Sequence, residues 1–360
     1  MDIKKIVITG GPCGGKTSAL ERIRETFSAM GYTVLLVSET ATEFISGGVA
    51  PWTCGTNADY QLCQMSLQLE KERLFRMAAE TMDAEKLLVV CDRGAIDNKA
   101  YMTDAEFRYV LDTLSLNEVE LRDSYDAVFH MTTAAKGAEE FYNTRNNKAR
   151  TESAEEAREL DDKFIAAWVG HTHLRVIDNS TGFDGKIERL IREIQSFLGE
   201  PEPFEIERKF LIERPDTTWL ESLPECRMVE ISQTYLEDAD GEHFRVRRRG
   251  YDGNYIYFHT VKKRVSDVKR IEIERRLTEA EYTSFVESAE YKKRSLTKDR
   301  YCLVYDSQYF EIDVFPFWDD RALVEIELSS ESETVRLPEW MRVIKEVTGD
   351  AAYNNYELAR

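Results

Sequence analysis

Hydrophobic and polar positions follow two different rhythms along this chain of 360 residues. In the first half, short apolar or β-branched runs occur at 6–9, 34–38, 87–92, 127–131 and 174–178. Longer segments with helical periodicity separate them, at 17–28, 59–82, 151–170 and 186–197. This alternation predicts a doubly wound α/β domain with a parallel sheet.

The second rhythm begins after the sequence GEPEP at 199–203, whose two prolines favour a linker. Beyond it, apolar and charged residues alternate with a period of two, which predicts β-strands. One or two helices are predicted in this half, at 279–289 and 339–347. We therefore expect two domains, residues 1–199 and 200–360.

A phosphate-binding loop is predicted where the first strand meets the first helix. The sequence GGPCGGKT at 10–17 fits the pattern GxxxxGK[ST] without a mismatch. Its glycines allow backbone N–H groups to surround a phosphate, while Lys16 reaches the terminal phosphates and Thr17 holds Mg²⁺. The predicted ATP-binding residues are Gly10, Gly11, Pro12, Cys13, Gly14, Gly15, Lys16, Thr17 and Ser18.

Acidic and basic residues at the ends of other strands are candidates for catalysis. Ligands of doubly wound folds bind beyond the carboxyl ends of the strands, where Glu39, Asp92 and Arg93 are expected. Asp92 could reach Mg²⁺, Arg93 a phosphate, and Glu39 the proton of an attacking hydroxyl. A helix cap is the alternative for Asp92 and for Glu39.

A basic segment before the helix at 151–170 is a candidate lid. Arg145 and Arg150 could close over phosphates, as in kinases, or the segment could be a solvated loop.

The first half resembles the AAA_28 group of P-loop NTPases, which lie near nucleoside, nicotinamide-riboside and thymidylate kinases. The resemblance rests on GGPCGGKTS, SETATEF, CDRG, NKARTES and VIDNST, which occur in this order over nearly all of 1–198. It implies phosphotransferase-like machinery that uses ATP, without naming the acceptor.

In the second half, each predicted strand carries one charged and one largely apolar face, because residues two apart share a face. Carboxylates recur as EIE, EIE, EID and EIE, and cations as RVR, TVK and KDR. The charged faces could simply meet water. If the sheet closes into a barrel with its charges inward, one cavity offers oxygen ligands for Mg²⁺ or Mn²⁺ and cations for a polyphosphate.

These motifs resemble the CYTH family, the triphosphate tunnel metalloenzymes, over essentially 203–360. The resemblance implies an α+β fold with an antiparallel eight-stranded tunnel barrel. It implies metal binding by Glu205, Glu207, Glu272, Glu274, Asp313, Glu325 and Glu327. It also implies triphosphate binding by Lys209, Arg245, Arg247, Lys262, Lys298 and Arg300, with Lys209 also acting in catalysis.

The composition limits the kinds of partner that we expect this protein to bind. The formal net charge of −19 repels nucleic acid and anionic membranes over most of the surface. The six cysteines form no CxxC pair, and no apolar run is long enough for a membrane span, so we expect a cytoplasmic protein. The expected partners are nucleotide and triphosphate ligands, and the oligomeric state stays open.

Three functions fit these patterns. The first is a P-loop kinase or NTPase joined to a metal-dependent triphosphatase. The second is a class IV-type adenylate cyclase barrel controlled by the first domain. The third is a barrel that senses polyphosphate or a nucleotide and regulates a P-loop ATPase.

Overall fold

The chain divides into two compact units, Met1–Glu200 and Pro201–Arg360. The computed structural model describes residues 2–142, 153–200, 206–237, 243–264, 270–288, 292–328 and 333–359. The division falls in the segment that the sequence predicted as a linker. Every helix in the described ranges is too short or too polar to cross a bilayer.

The first unit is built on a parallel sheet of five strands in the order β2-β3-β1-β4-β5. The strands are β1 (Asp2–Thr9), β2 (Thr33–Val37), β3 (Lys86–Asp92), β4 (Ala127–Met131) and β5 (Leu174–Ile177). Because all five are parallel, their carboxyl ends meet at one edge of the sheet. That edge carries the glycine-rich loop and the segments that follow β2, β3 and β4.

Helices connect these strands. They are α1 (Lys16–Ala29), α2 (Thr40–Ser46), α3 (Asn57–Glu80), α4 (Asp104–Leu114), α5 (Glu118–Arg122), α6 (Ala154–Trp168) and α7 (Phe183–Phe197). Ile23 and Phe27 of α1 and Leu190 and Ile194 of α7 pack on the sheet, where they are fully buried. Burying this apolar stripe stabilises both helices and fixes the start of α1 next to the loop.

The second unit contains one antiparallel sheet of nine strands, in the order β10-β9-β8-β7-β11-β12-β13-β6-β14. The strands are β6 (Ile206–Glu213), β7 (Cys226–Glu237), β8 (His243–Tyr251), β9 (Asn254–Arg264), β10 (Arg270–Leu277), β11 (Lys292–Tyr305), β12 (Gln308–Val314), β13 (Arg321–Leu328) and β14 (Val343–Glu346). The helices are α8 (Thr217–Glu221), α9 (Glu279–Glu287) and α10 (Asn355–Leu358).

The two faces of this sheet differ as the alternation predicts. One face buries an apolar cluster that includes Phe210, Phe310, Ile312 and Val324. The other face carries Lys209, Arg300, Asp313 and Glu325, each directly next in sequence to an apolar residue of the first face. We call this second surface the charged face.

Two expectations about the second unit need correction. The sheet has nine strands rather than eight, and no pairing among the described residues joins β10 to β14, so a closed barrel is not shown. The ninth strand, β14, lies where a helix was predicted at 339–347. The β-branched Val343 and Ile344 favour an extended backbone, which pairs with the open edge of β6.

Candidate functional site

The glycine-rich loop between β1 and α1 is held tightly against the end of β4. Gly10 and Gly15 have φ values of 132° and 92°, which side chains rarely adopt. A Cβ atom on Gly10 would lie 2.0 Å from the carbonyl oxygen of Met131, so no other residue fits there. The loop therefore approaches its neighbours as closely as glycine allows.

Lys16 begins α1 and folds back over the loop. Its Nζ donates to the carbonyl oxygens of Gly10 and Gly11, at 3.0 and 3.1 Å. Burial and the nearby Arg93 lower the pKa of Lys16 to about 8, against the opposing effect of Glu39 and Asp92. An anion bound next to Lys16 would therefore stabilise the charged form of its ammonium group.

Glu39, Asp92 and Arg93 meet at the same edge, as the strand ends predicted. The Nε of Arg93 donates to Glu39 at 2.8 Å, and its guanidinium stacks over Phe164 at 4.4 Å. Burial alone would raise the pKa of Glu39, but Arg93 and Lys16 outweigh it and lower that pKa to about 2. Glu39 is therefore a paired carboxylate, a weak base as it stands.

Asp92 is a carboxylate that can still accept a hydrogen bond or bind a cation. Its buried Oδ1 has no hydrogen-bond partner among the described residues. Burial raises the pKa of Asp92, and Lys16 opposes that shift. Thr17 is exposed in the first turn of α1. An unsatisfied carboxylate oxygen and a hydroxyl at the same sheet edge fit Mg²⁺, directly or through water.

Sequence reasoning missed Asp161, a fully buried carboxylate on α6. It accepts hydrogen bonds from the backbone N–H groups of Gly11 and Thr133, at 2.9 and 3.1 Å. The Nζ of Lys136 donates to it at 3.1 Å, and His130 Nε2 lies 3.0 Å away. Asp161 thus ties the loop to β4 and α6.

Asp161 lies on the inner face of α6 together with Ala157, Phe164 and Trp168. An acidic residue within this apolar stripe was the sequence signal that could have identified it.

Asp97 was also missed. It follows Asp92-Arg93-Gly94 and is almost fully buried. Its carboxylate accepts from Thr9 Oγ1 at 2.7 Å, from Trp168 Nε1 at 2.6 Å and from the Gly94 N–H at 3.0 Å. These contacts hold the turn that places Arg93, a residue with a φ of 71°.

Arg145 and Arg150 fall outside the described residues. His171 is buried, with its Nε2 3.0 Å from the carbonyl oxygen of Tyr125, and burial lowers its pKa to about 3. His171 is therefore a neutral structural residue.

On the charged face of the second unit, Arg300 contacts three carboxylates. It donates to Asp313 at 2.7 Å, to Glu325 at 2.9 Å and to Glu311. Lys298, itself buried, pairs with Asp313 and donates to Asn355 at 3.1 Å. The sequence had assigned no role to Glu311. Five charges are thus paired with one another at the middle of the sheet.

Lys209 extends this group onto β6. Its Nζ lies 2.7 Å from Glu325 and 4.0 Å from Glu207. Burial would raise the pKa of Glu325, but Lys298, Arg300 and Lys209 outweigh it and lower that pKa to about 2. Glu325 is therefore ionised at any physiological pH.

A second group lies across the charged face, on β8, β9 and β10. Arg247 donates to Glu274 at 3.1 Å, and Arg245 donates weakly to Thr260 at 3.4 Å. The Nε atoms of both arginines are buried without a hydrogen-bond partner among the described residues. Burial lowers the pKa of Arg247 to about 10, Glu274 opposes the shift, and Arg245 and Arg249 add to it. Both arginines thus keep a donor that no described residue satisfies and that an anion could accept from.

The expected metal ligands are only partly assembled. In the described ranges, no three His, Cys, Asp or Glu side chains are grouped as a metal site. Two pairs of carboxylates nevertheless lie directly opposite each other on neighbouring strands, Glu207 with Glu327 and Glu311 with Glu325. Like charges in such pairs repel, and Arg300 bridges the second pair. All the donors are oxygen, which suits Mg²⁺ or Mn²⁺.

The side chains of three predicted residues of the second unit are outside the described part. Glu205 is one of them. The other two, Lys262 and Glu272, are described only by their backbone, which pairs them across β9 and β10.

The parallel sheet, the glycine-rich loop and Lys16 define the first unit as a P-loop nucleotide-binding domain. The AAA_28 family model, described as an AAA domain, matches residues 5–186. The chain belongs to this family.

Two solved structures are similar to the chain, reported as the inorganic triphosphatase NE1496 and the hypothetical protein NE1496. Each is 30% identical over 43% of this chain, and the match covers 94% and 97% of the respective relative. The TM-score is 0.31 for both, so we base the function of the second unit on its own side chains. No curated protein matches the chain.

Proposed function

We propose that this chain is a bifunctional phosphate enzyme, in which a P-loop kinase or NTPase is joined to a metal-dependent triphosphatase of the CYTH type. The observation that carries the second half is the charged face, where cross-strand pairs of carboxylates share one side of the sheet with arginines that have unsatisfied donors. The buried charges around Arg300 are costly for stability alone, which supports a role in binding a charged ligand.

In the second unit, Arg245 and Arg247 are the proposed anchors of the triphosphate. Their buried Nε–H groups would donate hydrogen bonds to phosphate oxygens, which satisfies both donors. Lys209, Lys298 and Arg300 lie on the carboxylate side, where they offset the charge that develops on the leaving phosphate.

Glu207, Glu325 and Glu327, with Glu205, Glu272, Glu274 and Asp313, are the proposed holders of Mg²⁺ or Mn²⁺. A divalent ion there would polarise the terminal phosphoanhydride and lower the pKa of water. Glu207 and Glu327 are the best-placed ligands for this ion, because they lie opposite each other on neighbouring strands. A cation between them would remove the repulsion between the two carboxylates.

In the first unit, the loop 10–15, Lys16, Thr17 and Ser18 hold the phosphates of ATP. Lys16 exchanges the carbonyl oxygens of Gly10 and Gly11 for phosphate oxygens, and its lowered pKa returns toward the ordinary value as it does so. Asp92 and Thr17 would hold Mg²⁺, Arg93 would neutralise the transferred phosphate, and Glu39 would accept the proton once Arg93 turns to the phosphate.

Product analysis with the full chain tests this proposal. Tripolyphosphate and ATP are each incubated with Mg²⁺ or Mn²⁺, using the wild type and Lys16→Ala. Phosphate released from tripolyphosphate by both proteins is the expected result. Cyclic AMP formed from ATP would instead indicate a cyclase. Tight binding of tripolyphosphate without turnover would indicate a sensor.

A further inference from the structure

An exposed aromatic ring lies against the phosphate-binding loop. Phe183 is the first residue of α7, and its side chain is 52% exposed. A Cβ atom on Gly15 would lie only 2.8 Å from Cε2 of Phe183, so the ring touches the backbone just before Lys16. A large apolar side chain left in water next to an anion site has no role in the core of the unit.

The loop that carries Phe183 is fixed in place by Asn179. The Nδ2 of Asn179 donates to the carbonyl oxygens of Thr133 and Lys136, at 2.8 and 2.7 Å. Its Oδ1 accepts from Lys186 Nζ at 2.8 Å, and the same ammonium donates to Thr132 O at 2.6 Å. The segments after β4 and β5 are thus joined, which holds the Phe183 ring beside the loop.

We propose that Phe183 is the platform on which the base of the bound nucleoside triphosphate stacks. The proposal rests on the proposed nucleotide binding of the first unit and adds how the base is recognised. A base extends from its phosphates far enough to reach a ring that already touches Gly15. Aromatic stacking accepts any base, because every base has a π-face.

The hydrogen bonds of Asn179 also affect which bases the site can distinguish. Both N–H groups of this amide are engaged within the protein, so Asn179 has no N–H left to donate to the edge of a base. We therefore expect the site to bind ATP and GTP with affinities within about threefold of each other.

The test compares ligands with and without a base, on the full chain with Mg²⁺. Affinities for ATP, GTP and tripolyphosphate are measured by calorimetry, and only the binding that Lys16→Ala removes is assigned to this site. Phe183→Ala should weaken ATP and GTP about tenfold and change tripolyphosphate less than about twofold. Phe183→Tyr should restore both nucleotides. Tyr109→Ala, which removes an exposed ring on α4, is the control and should change nothing.

Unchanged ATP affinity in Phe183→Ala would overturn the proposal. An equal loss for tripolyphosphate would also overturn it, because the ring would then only support Gly15. A large preference between ATP and GTP would refute base-tolerant stacking. If the wild type shows no Lys16-dependent ATP binding at all, the proposed function of the first unit fails instead.

Discussion

The phosphate-binding loop of the first unit and the charged face of the second would bind a polyanion through different groups. The loop uses backbone geometry and few charges: Lys16 lies on Gly10 and Gly11, and Asp161 holds the loop from behind. The charged face uses side chains of both signs, most of them paired with one another. Loss of one charge should therefore affect mainly binding in the first unit, and both stability and binding in the second.

Removing Arg300 should give the largest effect on stability. In Arg300→Met, Glu311, Asp313 and Glu325 lose a shared partner inside the sheet, which costs about 3–5 kcal/mol in the free energy of unfolding of the second unit. Arg321→Met is the matched control, since Arg321 is 40% exposed and pairs with exposed Asp320. Urea unfolding should show less than about 1 kcal/mol for that control. Equal losses in the two variants would argue against a coupled network.

Removing the Lys16 ammonium should separate the two sites by function. Lys16→Ala should weaken ATP binding by about 100-fold or more, because a buried charge-assisted contact to phosphate is lost. Hydrolysis of tripolyphosphate should stay within about twofold of the wild type. Lys163→Ala, an exposed lysine on α6, should change neither property. A parallel loss of both activities in Lys16→Ala would mean that the sites are coupled.

Removing the Asp161 carboxylate should loosen the loop without touching the ligand. Asp161→Ala leaves the N–H groups of Gly11 and Thr133 without their acceptor, and we expect about tenfold weaker ATP binding in a protein that still folds. Asp161→Asn keeps one acceptor oxygen and should recover part of the loss. Asp162→Ala, which removes a carboxylate 52% exposed on the same helix, is the control. Wild-type affinity in Asp161→Ala would assign the residue to folding only.

The pH dependence of ATP binding should be the smallest effect. The pKa of Lys16 is lowered to about 8, so its ammonium is present below pH 8 and is lost as the pH rises above it. Affinity should be constant near pH 7 and fall about fivefold by pH 9, since bound phosphate favours the charged form. Calorimetry across this range measures it, and Lys16→Arg should remove the slope. An unchanged affinity at pH 9 would contradict the lowered pKa.

Much of this arrangement could be predicted from local patterns. The motif GGPCGGKT predicted the loop and Lys16 because the chemistry needs adjacent residues. Period-two alternation predicted which side of each strand carries Lys209, Arg300 and Glu325.

The rest depends on contacts between distant segments. Asp161 reaches Gly11 across 150 positions, and Thr9 reaches Asp97 across 88, so no local pattern reveals either pair. Strand β14 forms because β6 offers an open edge, a tertiary effect that overrides the predicted helix. Arg300 was assigned to triphosphate from its motif, and only the folded sheet shows its donors on three carboxylates.

We propose that the charged face of the second unit binds and hydrolyses a triphosphate. Its most direct test is the kcat/KM for tripolyphosphate with Mg²⁺ in two neighbouring variants, Arg247→Met and Arg248→Met. Arg247 lies on the charged face beside Glu274, whereas Arg248 stacks over Tyr255 on the other side of β8. We predict a loss of about 100-fold for Arg247→Met and a value within about twofold of the wild type for Arg248→Met. Equal values for the two variants, or no turnover by the wild type, would contradict the account.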